Sequence, residues 1–154
     1  MKKKRISYIV RPSLIDKVNF LLLKSLRFLS FVPQIDNLIS RQMWFYKENM
    51  PLELRKAKLK FNEYKIENNE FVGRLDQGYE LMNGQLVIVD TKSHSQPTLA
   101  DYLQLSLYRL ILLDNGFNVA QYGYIRHEVG NYIYYSKMQL LSSFVVKSLV
   151  SNYK

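Results

Sequence analysis

The sequence predicts an α/β domain, a mixed and mainly antiparallel sheet with helices on its flanks. Three observations carry that expectation. Leu86-Val87-Ile88-Val89 is a short apolar run ending in Asp90-Thr91-Lys92, the pattern of a buried strand whose last residues turn polar. Met82-Asn83-Gly84 separates this run from an earlier segment around Gly73-Arg74-Leu75-Asp76, and Asn-Gly between two such segments marks a hairpin. Thr98-Leu99-Ala100-Asp101 then opens an apolar-periodic stretch to about Leu113, closed by Asp114-Asn115-Gly116, which reads as a capped helix.

The hairpin decides whether its two acids can act together. A two-residue Asn83-Gly84 turn would pair Asp76 with Thr91 and set Asp76 and Asp90 on opposite faces. A three-residue loop, Met82-Asn83-Gly84, with Gly84 left-handed, places Asp76 across from Asp90 and Arg74 across from Lys92. Asp90 and Lys92, two apart on a strand, point to the same side. Like charges facing each other on a sheet are destabilising, and a divalent cation between them removes that cost. On the capped helix, Gln104 and Tyr108 are four apart and share a face that can lean over the strand of Lys92. His94 and Gln96 follow Lys92 in a polar loop; His94 could contact a phosphate or assist a leaving group, but a loop histidine without a partner is usually just solvated, so it ranks low.

The first third of the chain is read as helical. Lys2-Lys3-Lys4-Arg5 is a basic cluster. The apolar stretch from Leu14 to Val32 is interrupted by Asp16, Lys17, Lys24 and Arg27, which argues against a membrane span and against a signal peptide. An amphipathic core helix broken near Pro33 is expected instead, then a second helix from about Gln34 to Asn49 with Trp44, and a turn or short helix at Pro51. Beyond the motif helix, strands are expected at about Ala120 to His127 and Tyr132 to Ser136. The alternation of Tyr122, Tyr124 and Arg126 offers an aromatic–basic strip for nucleic acid; packing in the core is the commoner role for such tyrosines. A last helix is expected from Met138 to Tyr153, with Leu140, Leu141, Phe144, Val145 and Leu149 as its apolar stripe. The chain thus reads as one domain over residues 1–154, with a helical part at 1–56, a sheet core with the motif helix at 57–137 and a C-terminal helix at 138–154.

Composition narrows the class. The 154 residues suit a single core, and a net charge of +9 favours an anionic partner such as nucleic acid. The chain has no cysteine, which excludes a disulfide scaffold and fits a reducing, cytoplasmic setting. No Gly-rich loop ending in Gly-Lys-Ser/Thr is present, so a nucleotide-driven motor is not expected.

Gly73-x-x-Asp76, Asp90-x-Lys92 and Gln104-x-x-x-Tyr108, in this order, resemble the PD-(D/E)XK nuclease superfamily and in particular its RecB-like branch, which includes CRISPR-associated exonucleases. The resemblance covers roughly Glu63 to His127. It implies a restriction-endonuclease-like core and a metal-dependent deoxyribonuclease, an exonuclease of DNA processing, repair or replication in a microbe or mobile element. It also implies roles. Asp76 and Asp90 would be ligands of Mg²⁺ or Mn²⁺, with the Thr91 carbonyl and Glu63 as further candidates. Lys92 would orient the attacking water or stabilise charge on the phosphate, and Gln104 and Tyr108 would position Lys92. Arg74, Tyr108 and Arg126 would touch DNA.

Two departures matter. Many RecB-like enzymes carry a histidine on a helix upstream of the first core strand, whereas His94 and His127 both lie downstream, so Glu48 or Glu53 would have to replace it, or nothing does. Some relatives hold an iron–sulfur cluster through four cysteines, which this chain cannot do. Three functions therefore compete: a nuclease, a nucleic-acid-binding protein that no longer cuts, and an unrelated basic adaptor with apolar N-terminal helices. A homo-oligomer is a further candidate arrangement.

Overall fold

The computed structural model describes residues 7–10, 14–26, 33 and 49–152. In chain order these form β1 (Ser7–Val10), α1 (Leu14–Ser25), α2 (Leu52–Lys56), β2 (Lys58–Glu67), β3 (Val72–Glu80), β4 (Leu86–Lys92), α3 (Leu99–Asp114), β5 (Val119–Val129), β6 (Tyr132–Gln139) and α4 (Ser143–Ser151). The six strands make one sheet in the order β1-β6-β5-β4-β3-β2. Only β4 and β5 are parallel neighbours; every other pair is antiparallel. The expected mixed, mainly antiparallel α/β architecture is what the chain adopts.

β4 is central because its residues tolerate burial on both faces. Leu86 and Ile88 pack with Leu105, Tyr108, Ile111 and Leu112 beneath α3. Val87 and Val89 face the other way, against Met50, Leu54, Tyr79, Tyr124 and Tyr135. Alternation therefore brings Asp90 and Lys92 to the α3 face. α3 is the crossover that two parallel strands require, and it starts just past the carboxyl end of β4. Its first turn carries the expected reciprocal cap: Asp101 N–H donates to Thr98 Oγ1 at 3.2 Å, and Thr98 N–H donates to Asp101 Oδ2 at 2.7 Å.

The β3–β4 hairpin takes the three-residue loop. Its pairs run Glu80–Leu86, Tyr79–Val87, Gly78–Ile88 and Gln77–Val89. Leu81 N–H donates to the Gln85 carbonyl at 2.8 Å and Gly84 N–H to the Leu81 carbonyl at 2.9 Å. Gly84 has φ 81°, a conformation costly for any residue with a Cβ. Gly84→Ala is accordingly expected to lose about 1 kcal/mol, read as a lower urea midpoint with an unchanged slope.

Beyond Gln77 the strand departs from regular alternation. A Cβ on Gly73 would meet Tyr108, and Leu75 packs in the α3-side cluster, so both face α3. Gly78, three residues after Leu75, faces the same side: a Cβ there would meet Phe61 and Leu75. One step of the alternation is lost at Asp76-Gln77. β2 loses a step at the same level. Phe61 and Tyr64 stack at 4.6 Å, and Glu63 between them has a left-handed φ of 47°. These paired irregularities swing β3 toward β2, where Arg74 pairs with Lys65. Arg74 across from Lys92 is thus not a pair the sheet makes.

The ends of the chain correct several expectations. The N-terminal part is not wholly helical: Ser7–Val10 forms an edge strand on β6. α1 is a helix, and Leu14, Ile15, Val18, Leu21 and Leu22, its apolar residues whose side chains are described, are exposed. The expected second helix, with Trp44, lies outside the described residues, as do Lys2-Lys3-Lys4-Arg5 and Glu48. The short helix after Pro51 is present as α2. Met138 and Gln139 continue β6, because β1 and β5 pair with them, and the last helix starts only at Ser143, capped by Ser142. Of its expected stripe, Leu140 is buried ahead of the helix and Phe144 is 79% exposed; Val146 takes the inward position. Among the described residues no helix is long and apolar enough to cross a membrane.

Candidate active site

Asp90 is a buried carboxyl (3% exposed) at the point where β4 leaves the core. Burial raises its pKa, Lys92 opposes that rise, and the neighbouring Asp76 carboxyl adds to it; the net direction is upward. Asp76 reaches this position because of the break in β3. Its Oδ2 accepts the Thr91 N–H at 2.9 Å, where a regular ladder would have offered a backbone carbonyl. The two acids thus meet, though through a side-chain bond at a strand irregularity rather than as a regular cross-strand pair.

Lys92 Nζ stands 2.8 Å from Asp90 Oδ2 and donates to Gln104 Oε1 at 2.9 Å. The contact with Asp90 is close in charge but off hydrogen-bond alignment, so among the described residues this buried oxygen receives no aligned donor. Gln104 has its amide orientation fixed, since an ammonium can only donate. Its Nε2 therefore points the other way and donates to the Tyr108 hydroxyl at 2.7 Å. Tyr108 in turn lies against the bare backbone of Gly73, where a Cβ would stand 2.6 Å from its Cε1. The three short motifs interlock through Gly73–Tyr108, Asp76–Thr91 and Lys92–Gln104. The role of Gly73 was not visible in sequence, because only the folded contact shows which side chain needs the space.

The electrostatics favour a cation. Burial works to lower the Lys92 pKa, but Asp90, Asp101 and Asp76 outweigh it and the shift is upward. Lys92 is thus a permanent ammonium, a donor and not a base. Asp90 contacts this ammonium, and Asp101 and Asp76 act on it through their charge alone, in a chain that is otherwise strongly basic. Asp76 and Asp90 supply hard oxygens, and the Thr91 carbonyl faces the β3 side together with its N–H. No group of three or more acidic, histidine or cysteine side chains converges among the described residues. Two carboxylates still fit an ion of the Mg²⁺ kind, which keeps several waters and takes phosphate oxygens as ligands.

No family model and no curated protein matches the chain. A solved structure described as "Crystal structure of SSO0001" aligns over 90% of this chain and 68% of its own, with a TM-score of 0.38 and 16% identity. Likeness of that degree carries no functional argument.

Several residues expected at the site are placed elsewhere. Glu63 lies across the β2–β3 ladder from Asp76, but its carboxylate is turned to Arg74, 2.6 Å away, and both side chains are 68% exposed. A left-handed backbone directs it outward, so it is not brought to the acidic pair. Arg74 is held in the same ion pair. Arg126 lies against Glu128. Glu53 sits on the far face of the sheet, where Tyr122 donates to it at 2.7 Å, Tyr124 donates as well, and Lys137 lies 3.6 Å away. It does not take the place of the upstream histidine. Tyr122 and Tyr124 are thereby engaged by α2, not displayed as a strip.

A second polar group borders the site on the α3 face. His127, fully buried, donates from Nδ1 to the His94 carbonyl at 2.6 Å, since a carbonyl can only accept, and its Nε2 accepts from Ser136 Oγ at 2.9 Å. Burial holds its pKa below the ordinary value, outweighing the His94 carbonyl and Asp101. The sign for stability follows. Below the unfolded-state value of 6.5 the unfolded chain takes up a proton that the folded one resists, so stability falls as pH drops through that window. The wild-type Tm is expected to drop between pH 7.5 and 5.5 more steeply than that of His127→Gln; equal slopes would contradict the neutral, buried assignment.

Proposed function

We propose that this chain is a metal-dependent nuclease of the restriction-endonuclease-like, RecB-like type that hydrolyses phosphodiester bonds in DNA. An exonuclease of DNA processing, repair or replication, working in the cytoplasm, is the form the motif resemblance favours. The observation that supports this reading most is the meeting of Asp76 and Asp90 beside an ammonium that donates to Gln104. Asp76, Asp90 and the Thr91 carbonyl would hold Mg²⁺ or Mn²⁺. When bound, such an ion polarises the scissile phosphate and makes a water nucleophilic near neutral pH.

The chain's own residues do the rest. Lys92 stays protonated and donates to charge growing on the phosphate oxygens. Gln104 fixes where that ammonium sits, and Tyr108 fixes Gln104. The parallel strands β4 and β5 end at this place, the side of an α/β sheet where ligands commonly bind. The positive net charge attracts the polyanion toward a centre that is itself acidic.

A second reading, DNA binding without cleavage, draws on the placement of Glu53 and Glu63, which among the described residues leaves two carboxylates at the site. Cleavage of end-labelled linear and closed circular DNA, single- and double-stranded, separates the two. Cutting in Mg²⁺ or Mn²⁺ that EDTA stops is the expected result, and circular substrates report exo or endo action. Binding by a folded chain with no cutting under any of these conditions would favour the second reading.

A further inference from the structure

We propose that His94, steered by Asp101, is the proton donor to the leaving oxygen of the reaction at Asp76 and Asp90. The inference rests on the hydrolase reading and adds to it a residue and a step. α3 reaches back to the end of β4 twice. Gln104 takes Lys92, and Asp101, one turn earlier, takes His94 Nε2 at 2.7 Å. Residues three apart on a helix lie about 5–6 Å apart at Cβ, so Asp101 and Gln104 reach the end of β4 from adjacent turns of α3.

The holding is specific. Asp101 is almost wholly buried, and its Oδ2 accepts from both the Thr98 N–H and His94. Burial works to raise the Asp101 pKa, but the Thr98 and His94 hydrogen bonds prevail and lower it, so a fixed carboxylate faces the ring. With Nε2 committed to that carboxylate, Nδ1 is the nitrogen left for a substrate; no described residue bonds it. The His94 side chain is 39% exposed, in contrast to the sealed His127. The loop that carries it is tied down from two strands: His127 of β5 holds the His94 carbonyl, and the Tyr134 hydroxyl of β6 donates to the Ser95 carbonyl at 2.6 Å. The titratable groups at the ring are Asp101 from α3 and His127 from β5, 6.0 Å between ring centres, and Lys92 from β4 feels the charge of the same Asp101. His127 is sealed from solvent, which leaves His94 as the accessible imidazole at this end of the sheet.

In the step, a water oxygen bonds to phosphorus as the bond from phosphorus to the bridging oxygen breaks. The departing oxygen keeps the electron pair and takes the proton from His94 imidazolium. The water loses its proton to solvent, which also reprotonates the imidazole, so phosphodiester and water give phosphomonoester and alcohol.

The test compares oligonucleotides whose bridging oxygen, 3′ or 5′, is replaced by sulfur, a leaving group that departs as thiolate without a proton. Wild type, His94→Gln and Asp101→Asn are assayed in Mn²⁺, with a thermal melt of each. His94→Gln is expected to lose about 10²–10³-fold on the all-oxygen substrate and to cut one of the sulfur substrates within a few-fold of wild type. Asp101→Asn should show the same rescue from a smaller loss, and the alkaline-side fall of the wild-type pH–rate profile should change in His94→Gln. An equal loss on oxygen and sulfur substrates, or no loss on either, overturns the donor role and leaves His94 as a loop anchor. Wild type that cuts none of these substrates sinks the hydrolase reading itself, and the donor role with it.

Discussion

Asp90→Asn is expected to abolish cleavage, by on the order of 10³-fold or more, while its Tm at pH 7 stays at or above the wild-type value. The two halves have one cause. Asp90 is buried, and burial together with Asp76 raises its folded-state pKa above the unfolded value of 3.8 despite Lys92. A carboxyl with a raised pKa contributes stability that is complete below the unfolded pKa and is lost as pH rises through the folded one. At pH 7 its charge is therefore a cost to the fold. Asparagine keeps the shape, removes the repulsion from Asp76, and leaves Lys92 its bond to Gln104. The same substitution removes a ligand oxygen and the negative charge that a cation would neutralise. Added Mg²⁺ or Mn²⁺ should raise the wild-type Tm and leave the variant unmoved. A variant that melts well below wild type would show that Asp90 stabilises the fold in its own right, against this account.

The second large effect is expected at a glycine. Gly73→Ala should destabilise the fold by about 1–3 kcal/mol and lower cleavage beyond what the lost stability explains. A Cβ there stands 2.6 Å from Tyr108 Cε1, a distance at which something must shift. Tyr108 is buried beneath the sheet, so it cannot swing into solvent. Its displacement carries Gln104 with it, and Gln104 holds Lys92. A double-mutant cycle checks the cause: in a Tyr108→Ala background, Gly73→Ala should cost little. A cost that is the same with and without the tyrosine ring would place the effect in the backbone of β3 instead.

What could be read from the chain follows from how local each signal is. Asn83-Gly84 allowed two registers, and the three-residue loop with a left-handed Gly84 is the one that forms. Thr98 and Asp101 cap α3 within four residues of each other, a contact that needs no tertiary knowledge. Gln104 and Tyr108 share a face for the same reason. Other features depend on partners far away in sequence. Ser7–Val10 becomes a strand because β6 offers it an edge, and the pairing of β6 with β1 and β5 keeps Met138 and Gln139 out of the last helix. The break at Asp76-Gln77 answers the left-handed Glu63 on the neighbouring strand, and no local pattern in either segment announces it. The motif resemblance makes Glu63 a candidate ligand; its left-handed backbone, which no propensity suggests for a glutamate, is what turns it to Arg74.

On the reading proposed, Asp76 and Asp90 hold one cation between them. Mn²⁺ titration followed by the electron paramagnetic resonance of the free aqua ion tests it without any need for cleavage. Wild type is expected to take up about one Mn²⁺ with measurable affinity, and Asp76→Asn and Asp90→Asn, both folded, should each lose that uptake. Uptake that survives either substitution, or folded wild type that takes up none with a phosphodiester oligonucleotide present, would contradict it.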